Sequence, residues 1–140
     1  MSELIIKALR IAMDAHKDQT DKAGKPYILH PLTVAMSQQT EECFIAALLH
    51  DVVEDSDYTF AGLEAEGFPE EVLSALKLLT HDKSVDYGEY VAKIRDNEIA
   101  RNVKIADLTH NSDLSRLPFV TDKDIKRREK YKNALLYLES

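Results

Sequence analysis

The stretch Phe44-Ile-Ala-Ala-Leu-Leu-His50-Asp51-Val-Val-Glu54-Asp55 decides how this chain is read. From Phe44 to Val53 it is apolar nearly all round, interrupted only by His50 and Asp51. A helix apolar on every side is a buried one, so this segment is expected at the centre of a helical bundle. Thr40, followed by Glu41 and Glu42, offers an N-cap and an acidic first turn. Charged groups are seldom buried unless they pair with one another or with a metal. His50 and Glu54 stand four residues apart, as do Asp51 and Asp55, so a continuous helix gathers four polar groups at its C-terminal end. Acidic residues at that end are disfavoured without a cation. For Glu54 and Asp55 taken alone, an exposed helix end is an equally good reading.

Outward from this centre the chain keeps a helical rhythm. Leu4, Ile5, Ala8, Leu9, Ala12 and Ala15 mark an amphipathic helix over about residues 3–17, with Ser2 as its cap. Asp18 to Tyr27 is a loop broken by Gly24 and Pro26. Pro31 suits the first turn of a helix running to about Gln38. A short helix follows Thr59 and closes at Gly67, and Pro69 starts another with Val72, Leu73, Leu76, Leu78 and Leu79 inward. Tyr87, Tyr90, Val91 and Ile94 mark a further helix. Residues 99–111 form the next, and Pro118 breaks the chain. The last helix, about 122–138, turns Ile125, Tyr131, Leu135 and Leu138 inward. The sum is an all-α bundle of about seven helices without a convincing strand.

Composition agrees. The 140 residues suit a single domain spanning 1–140. Only 4 Gly and 4 Pro leave little turn material for a many-stranded sheet. The 18 basic and 25 acidic side chains give a net charge of −7, which disfavours a sequence-independent grip on nucleic acid. A small anionic substrate is still compatible, because a bound cation reverses the local field. The lone Cys43 lies in an apolar run and reads as core. No stretch approaches the ~18 apolar residues of a membrane span, and Met-Ser-Glu-Leu is no signal peptide, so a cytoplasmic protein is expected.

Two further segments carry chemistry. In Gly24-Lys-Pro-Tyr-Ile-Leu-His30-Pro31, a His before Pro is on its own more often a loop residue than a ligand. In Val103-Lys-Ile-Ala-Asp107-Leu-Thr-His110-Asn111, Asp107, His110 and Asn111 share one helical face. Asp107 sits at an apolar position and needs a partner, either a metal or a buried Lys or Arg. Together His30, His50, Asp51 and Asp107 offer two imidazoles and two carboxylates from three helices. That mixture suits Mn, Fe, Co or Zn better than Ca.

These residues resemble the metal-binding signature of the HD phosphohydrolase superfamily. The contexts Tyr27-Ile-Leu-His30-Pro31, His50-Asp51-Val-Val-Glu54-Asp55 and Ala106-Asp107-Leu-Thr-His110-Asn111 are similar to the (p)ppGpp hydrolase domain of RelA/SpoT proteins, over about residues 3–117. The resemblance implies an HD-domain helical bundle that removes the 3′-pyrophosphate of the alarmone, typically with Mn²⁺. It implies that His30, His50, Asp51 and Asp107 are the metal ligands, that Glu54 and Asp55 orient or activate the attacking water, that Asn111 contacts the nucleotide sugar and that Lys22 is a basic residue of the nucleotide loop. Synthesis of the alarmone is not expected from such a domain. There are departures. The family's loop commonly reads Arg-Lys-Ser-Gly, and here it is Asp21-Lys22-Ala23-Gly24, so the base-stacking arginine is Asp21. The family's Ala-Asp-Arg is here Ala106-Asp107-Leu108, so a second arginine is missing. Lys25, Lys104 and Arg116 are the nearby cations left to compensate.

The leading expectation is therefore a metal-dependent hydrolase of a phosphorylated nucleotide, with (p)ppGpp first. The alternatives are an HD hydrolase of another nucleotide or phosphoester, a non-catalytic metal- and nucleotide-binding module, and a structural helical protein with a satisfied buried polar network. Other residues have plainer readings. His81 reads as solvent-exposed, and His16 as a surface helix residue, with packing near the loop before His30 as the alternative. Tyr87 and Tyr90 read as core. The Lys126–Lys130 run reads as a solvated helix face or part of a homo-oligomer contact.

Overall fold

The structure, a computed structural model, describes residues 3–140. Nine α-helices follow one another among these residues: α1 Glu3–Ala15, α2 Leu29–Met36, α3 Glu41–Leu49, α4 Val52–Asp55, α5 Phe60–Ala65, α6 Glu70–Leu79, α7 Tyr87–Arg95, α8 Glu98–Asn111 and α9 Asp122–Glu139. A 3₁₀ turn, Leu114–Arg116, lies between the last two. No strand forms among the described residues, and the backbone bridge of Thr20 with Pro26 merely pins the base of the loop before α2. The Ser2 cap lies outside the described residues.

The all-α reading holds, and α3 is central. It packs against α1, α2, α6 and α8. Ala46, Ala47, Leu48 and Leu49 are fully buried. Removing each such leucine from water contributes about 1.5–3 kcal/mol. Cys43 is buried beside them, as its apolar setting implied. Side-chain caps start the helices where the sequence places them. Thr40 Oγ1 accepts from the Cys43 N–H, Thr59 Oγ1 from Gly62 and Asn97 Oδ1 from Ala100. Thr121 and Asp124 close a full capping box on α9.

Four expectations change. The central helix does not run on through His50 and Asp51. The His50 N–H reaches back to the Ala47 carbonyl at 3.5 Å, and its ring Nδ1 donates to the same oxygen at 2.5 Å. A continuous helix would give that carbonyl to the Asp51 N–H. Asp51 instead adopts φ −106°, ψ −1°, and the chain restarts as α4. The i, i+4 pairing of His50 with Glu54 is thereby replaced by a turn. His16 is not on a surface helix position. It lies in the turn after α1 and is 2% exposed. Its ring packs on Tyr27 at 4.9 Å, and its Nδ1 meets Gln19 Oε1 at 2.7 Å. His81 is not free in solvent, since its ring stacks on Tyr90 at 4.4 Å. Ile125 faces outward at 38% exposure, and Ala134 and Leu138 hold α9 to the bundle instead.

Truncating the centre tests this arrangement. Leu48→Ala should cost about 2–5 kcal/mol in urea unfolding, because the surrounding helices cannot collapse into the void. A loss under about 1 kcal/mol would mean that α3 is not the packed centre.

Candidate metal centre

Three helices converge on one point. His30 comes from α2, His50 from the turn closing α3, and Asp107 from α8. All three are buried, and their ligating atoms lie within 4.8 Å of one another. His30 Nε2 stands 2.7 Å from Asp107 Oδ1. His50 Nε2 stands 3.1 Å from Asp51 Oδ2 and 3.4 Å from Asp107 Oδ1. Although both oxygens are close, neither is aligned for a hydrogen bond, and Nε2 is a buried nitrogen without one. The Ala47 carbonyl can only accept, so it fixes a proton on His50 Nδ1. In the neutral ring the Nε2 lone pair is then turned toward the carboxylates. A nitrogen lone pair that faces two carboxylate oxygens without hydrogen-bond geometry, as at His50 Nε2, is what a cation requires. The donor set fits a borderline divalent metal.

The electrostatics agree. Burial works against a charge on His50, but Asp51 and Asp107 outweigh it and push the imidazole well above its usual range. The field that favours a proton there favours any cation. Burial also works against ionising Asp107, yet Lys104, His30 and His50 hold it well below the usual carboxylate range. Asp51 likewise falls to about 2, with His50 overcoming the cost of burial.

A second layer orients these groups. The Tyr27 hydroxyl donates to Asp51 Oδ2 at 2.5 Å. Burial and the Asp51 charge keep that phenol protonated far above its ordinary range. Lys104 Nζ pairs with Asp107 Oδ2 at 3.0 Å, and Asn111 Nδ2 donates to Asp107 Oδ1 at 3.1 Å. Of the two partners expected for Asp107, a metal or a buried Lys or Arg, the lysine is present as Lys104, and the imidazoles face the other oxygen. His30 Nδ1 meets His110 Nδ1 at 2.7 Å, so one proton is shared between them. Such partners fix ligand tautomers and ring orientation. Spacing puts His110 on the face of Asp107, but its contact with His30, like that of Tyr27 with Asp51, crosses the fold and has no signal in the sequence.

The remaining candidates lie around this centre. Glu54 Oε1 accepts the His81 N–H at 3.0 Å, which ties it to the loop after α6. Asp55 borders a cavity of about 540 Å³ with Asp14, Lys17 and Tyr58. Solvent reaches it, yet partial burial and then the Asp51 and Glu54 charges raise its carboxyl to about 6. Lys22 and Asn111 border a different cavity, of about 470 Å³, which also opens on Tyr27 and His30. Lys22 stands 3.7 Å from Asp124 Oδ1, where Arg127 also pairs at 3.1 Å. Leu108, where the resemblance has an arginine, is 1% exposed and belongs to the core. Of the compensating cations, Lys104 is taken by Asp107, whereas Arg116 lines the Lys22 cavity.

Comparison with known proteins agrees with this geometry. No family model matches the chain. It is 36% identical over 125 residues to the bifunctional (p)ppGpp synthase/hydrolase SpoT of Escherichia coli K12, covering 76% of this chain and 18% of that protein. It is 38% identical over 90 residues to the guanosine-3′,5′-bis(diphosphate) 3′-pyrophosphohydrolase of Aquifex aeolicus, covering 61% of this chain and 13% of that one. The chain thus spans less than a fifth of the length of these curated relatives. A solved structure of a metazoan SpoT ortholog, described as hydrolysing ppGpp, superposes with a TM-score of 0.78 at 26% identity. That match covers 99% of this chain and 86% of the other. The bundle is the helical fold of HD-type hydrolases.

Two measurements follow from the geometry. If Asp51 joins these donors around a divalent cation, Tyr27→Phe should weaken binding of that cation by about 10–100-fold in titration calorimetry, since Asp51 loses its orienting bond. Unchanged affinity would mean that Asp51 does not contact the ion. Asp55→Asn should stabilise the protein, and more so at pH 8 than at pH 5. The folded carboxyl is raised to about 6, so the folded state binds more protons than the unfolded one just below that pH. Stability therefore falls as pH rises through this window, and the amide removes the effect. Melting temperatures of both proteins across pH 5–8 check the sign.

Proposed function

We propose that this chain, related in sequence and fold to the (p)ppGpp hydrolases, is a divalent-metal-dependent phosphohydrolase that removes the 3′-pyrophosphate of a guanosine 3′,5′-bis(diphosphate), with residues 1–140 acting as one hydrolase domain. The observation that carries this reading is the meeting of two buried imidazoles and the Asp107 carboxylate from three parts of the bundle at one point, with Asp51 Oδ2 3.1 Å from His50 Nε2 beside them. His30, His50, Asp51 and Asp107 hold the metal, with Mn²⁺ as the cofactor. A divalent ion held there acidifies water and polarises a phosphoryl oxygen. Asp55, with its carboxyl near 6, is ionised at neutral pH yet basic enough to accept a proton from water. Glu54, tethered to the His81 N–H, orients that water. Lys22 binds phosphate at the mouth of its cavity. Asn111 gives its Nδ2 to Asp107 and keeps its carbonyl for a sugar hydroxyl. The partner is a small nucleotide rather than nucleic acid, as the net charge of −7 also favours. No helix among the described residues is long and apolar enough to cross a membrane. We place the protein in the cytoplasm with its nucleotide substrate.

A second reading, hydrolysis of a different nucleotide, is favoured by Leu108, whose burial leaves no arginine at that position.

Incubation with Mn²⁺ and ppGpp, resolved by anion-exchange chromatography, should yield GDP and pyrophosphate, and Asp51→Ala should yield neither. The rate should rise with pH as Asp55 ionises, with a midpoint below the ion-free value of about 6, because the bound cation offsets the Asp51 charge that helps raise this carboxyl. Asp55→Asn should lower it by about 10²–10⁴-fold and flatten that rise. Persistence of ppGpp beside a metal-filled site would sink the alarmone reading and leave the second one to a nucleotide panel.

A further inference from the structure

The cavity that holds Lys22 and Asn111 has a wall that the proposed hydrolysis does not use. Arg116, in the 3₁₀ turn after α8, stands on it. Its Nη1 lies 3.9 Å from Asp21 Oδ2, and its Nη2 donates to the His110 carbonyl at 3.3 Å. Asp21 is itself held. Its Oδ1 accepts from the N–H groups of Ala23 and Lys25, both at 2.9 Å. Gly24 at φ +81° closes that turn. The loop therefore holds Oδ2 toward Arg116.

The guanidinium is thus braced at two edges by two separate elements, and a carboxylate faces its charge. The Asp21 carboxylate offsets part of the charge a phosphate would need and the His110 carbonyl takes one N–H, which makes Arg116 a poorer phosphate ligand than an unpaired cation. Its planar face is left to stack on π-systems. Leu114, Leu117 and Tyr131 border the same cavity. Those surfaces suit a flat heterocycle rather than a phosphate. The cations Lys22 and Arg127 lie elsewhere on the rim, gathered by Asp124.

We propose that Arg116, braced by Asp21, is the stacking platform for the nucleobase. This rests on the nucleotide reading above and deepens it. The arginine expected at position 21 is absent, but a guanidinium reaches the same cavity from another element, and Asp21 becomes its support. Stacking accepts every base, because each has a π-face, so guanine and adenine nucleotides should bind within a few-fold of each other.

The test is equilibrium binding of ppGpp and of inorganic pyrophosphate, with Mn²⁺ present, in an Asp55→Asn background that suppresses turnover. Arg116→Ala should weaken ppGpp binding by about 5–30-fold and leave pyrophosphate binding within about 2-fold. Arg116→Lys should not rescue it, since an ammonium has no planar face. Asp21→Asn, which keeps the turn's acceptor but loses the charge on the brace, should give a smaller loss. Equal weakening for both ligands, or full rescue by lysine, overturns the proposal in favour of a phosphate contact. Unchanged ppGpp binding in Arg116→Ala overturns it outright. Parent protein that binds pyrophosphate but not ppGpp overturns the alarmone reading itself, before any Arg116 variant is made.

Discussion

The structure depends on the burial of one carboxylate. Asp107 lies on α8 with its side chain 8% exposed, where an unpaired charge would cost several kcal/mol. Its two oxygens divide the work of satisfying it. Oδ2 takes Lys104 from one turn earlier on the same helix. Oδ1 faces His30 on α2, His50 at the end of α3 and Asn111 on α8. Helices α2, α3 and α8 must therefore approach as they do, or the charge is stranded. The packed leucines and alanines of α3 supply the burial, and Asp107 makes that burial specific. A buried ion pair adds little net stability over apolar packing of the same shape. Its retention here is better explained by the field it makes.

That field follows from how few charges are balanced locally. Lys104 compensates one negative charge, whereas Asp51 and Asp107 together present two around His50. The imbalance appears as the upward push on the His50 imidazole, whereas Lys104 and the imidazoles are what hold the two carboxylates down. The break at His50–Asp51 is what makes this possible. A continuous helix would spread His50, Asp51, Glu54 and Asp55 around one exposed end. The turn instead sends His50 and Asp51 inward and leaves Glu54 and Asp55 at the rim, where solvent and a substrate can meet them. An inward imidazole–carboxylate pair and two rim carboxylates are thus separated within six residues of chain.

Much of this was legible in the sequence, for identifiable reasons. The all-round apolar run of α3 could only be a buried helix, and a His-Asp pair inside it demanded a partner. The cap at Thr40 and the helix start after Thr59 are local, and local chemistry reads well from sequence. What did not read were contacts between distant segments. His16 looked like a surface residue because α1 periodicity extended to it, but the helix stops at Ala15 and the ring turns under Tyr27. His81 looked free because its loop is polar, yet Tyr90 and Glu54 hold it. The helix break was invisible because it depends on an imidazole competing for its own helix's carbonyl.

The same distinction applies to the two departures at positions 21 and 108. By sequence both are losses of arginine, but in the fold they are different events. Leu108 is sealed in the core, so that guanidinium is gone and hydrophobic contact stands in its place. Asp21 sits at a cavity mouth in a turn it shapes with its own Oδ1, and its other oxygen meets a guanidinium from a segment 95 residues later. Charge and planarity there are relocated rather than lost. The metal centre tolerates no such relocation, because its donors must meet within a few ångströms inside a packed bundle. A nucleotide cavity open to solvent does, because a planar group can enter it from any bordering element. Departures from a familiar pattern therefore weigh little at the rim and heavily at the buried centre, where His30, His50, Asp51 and Asp107 all stand.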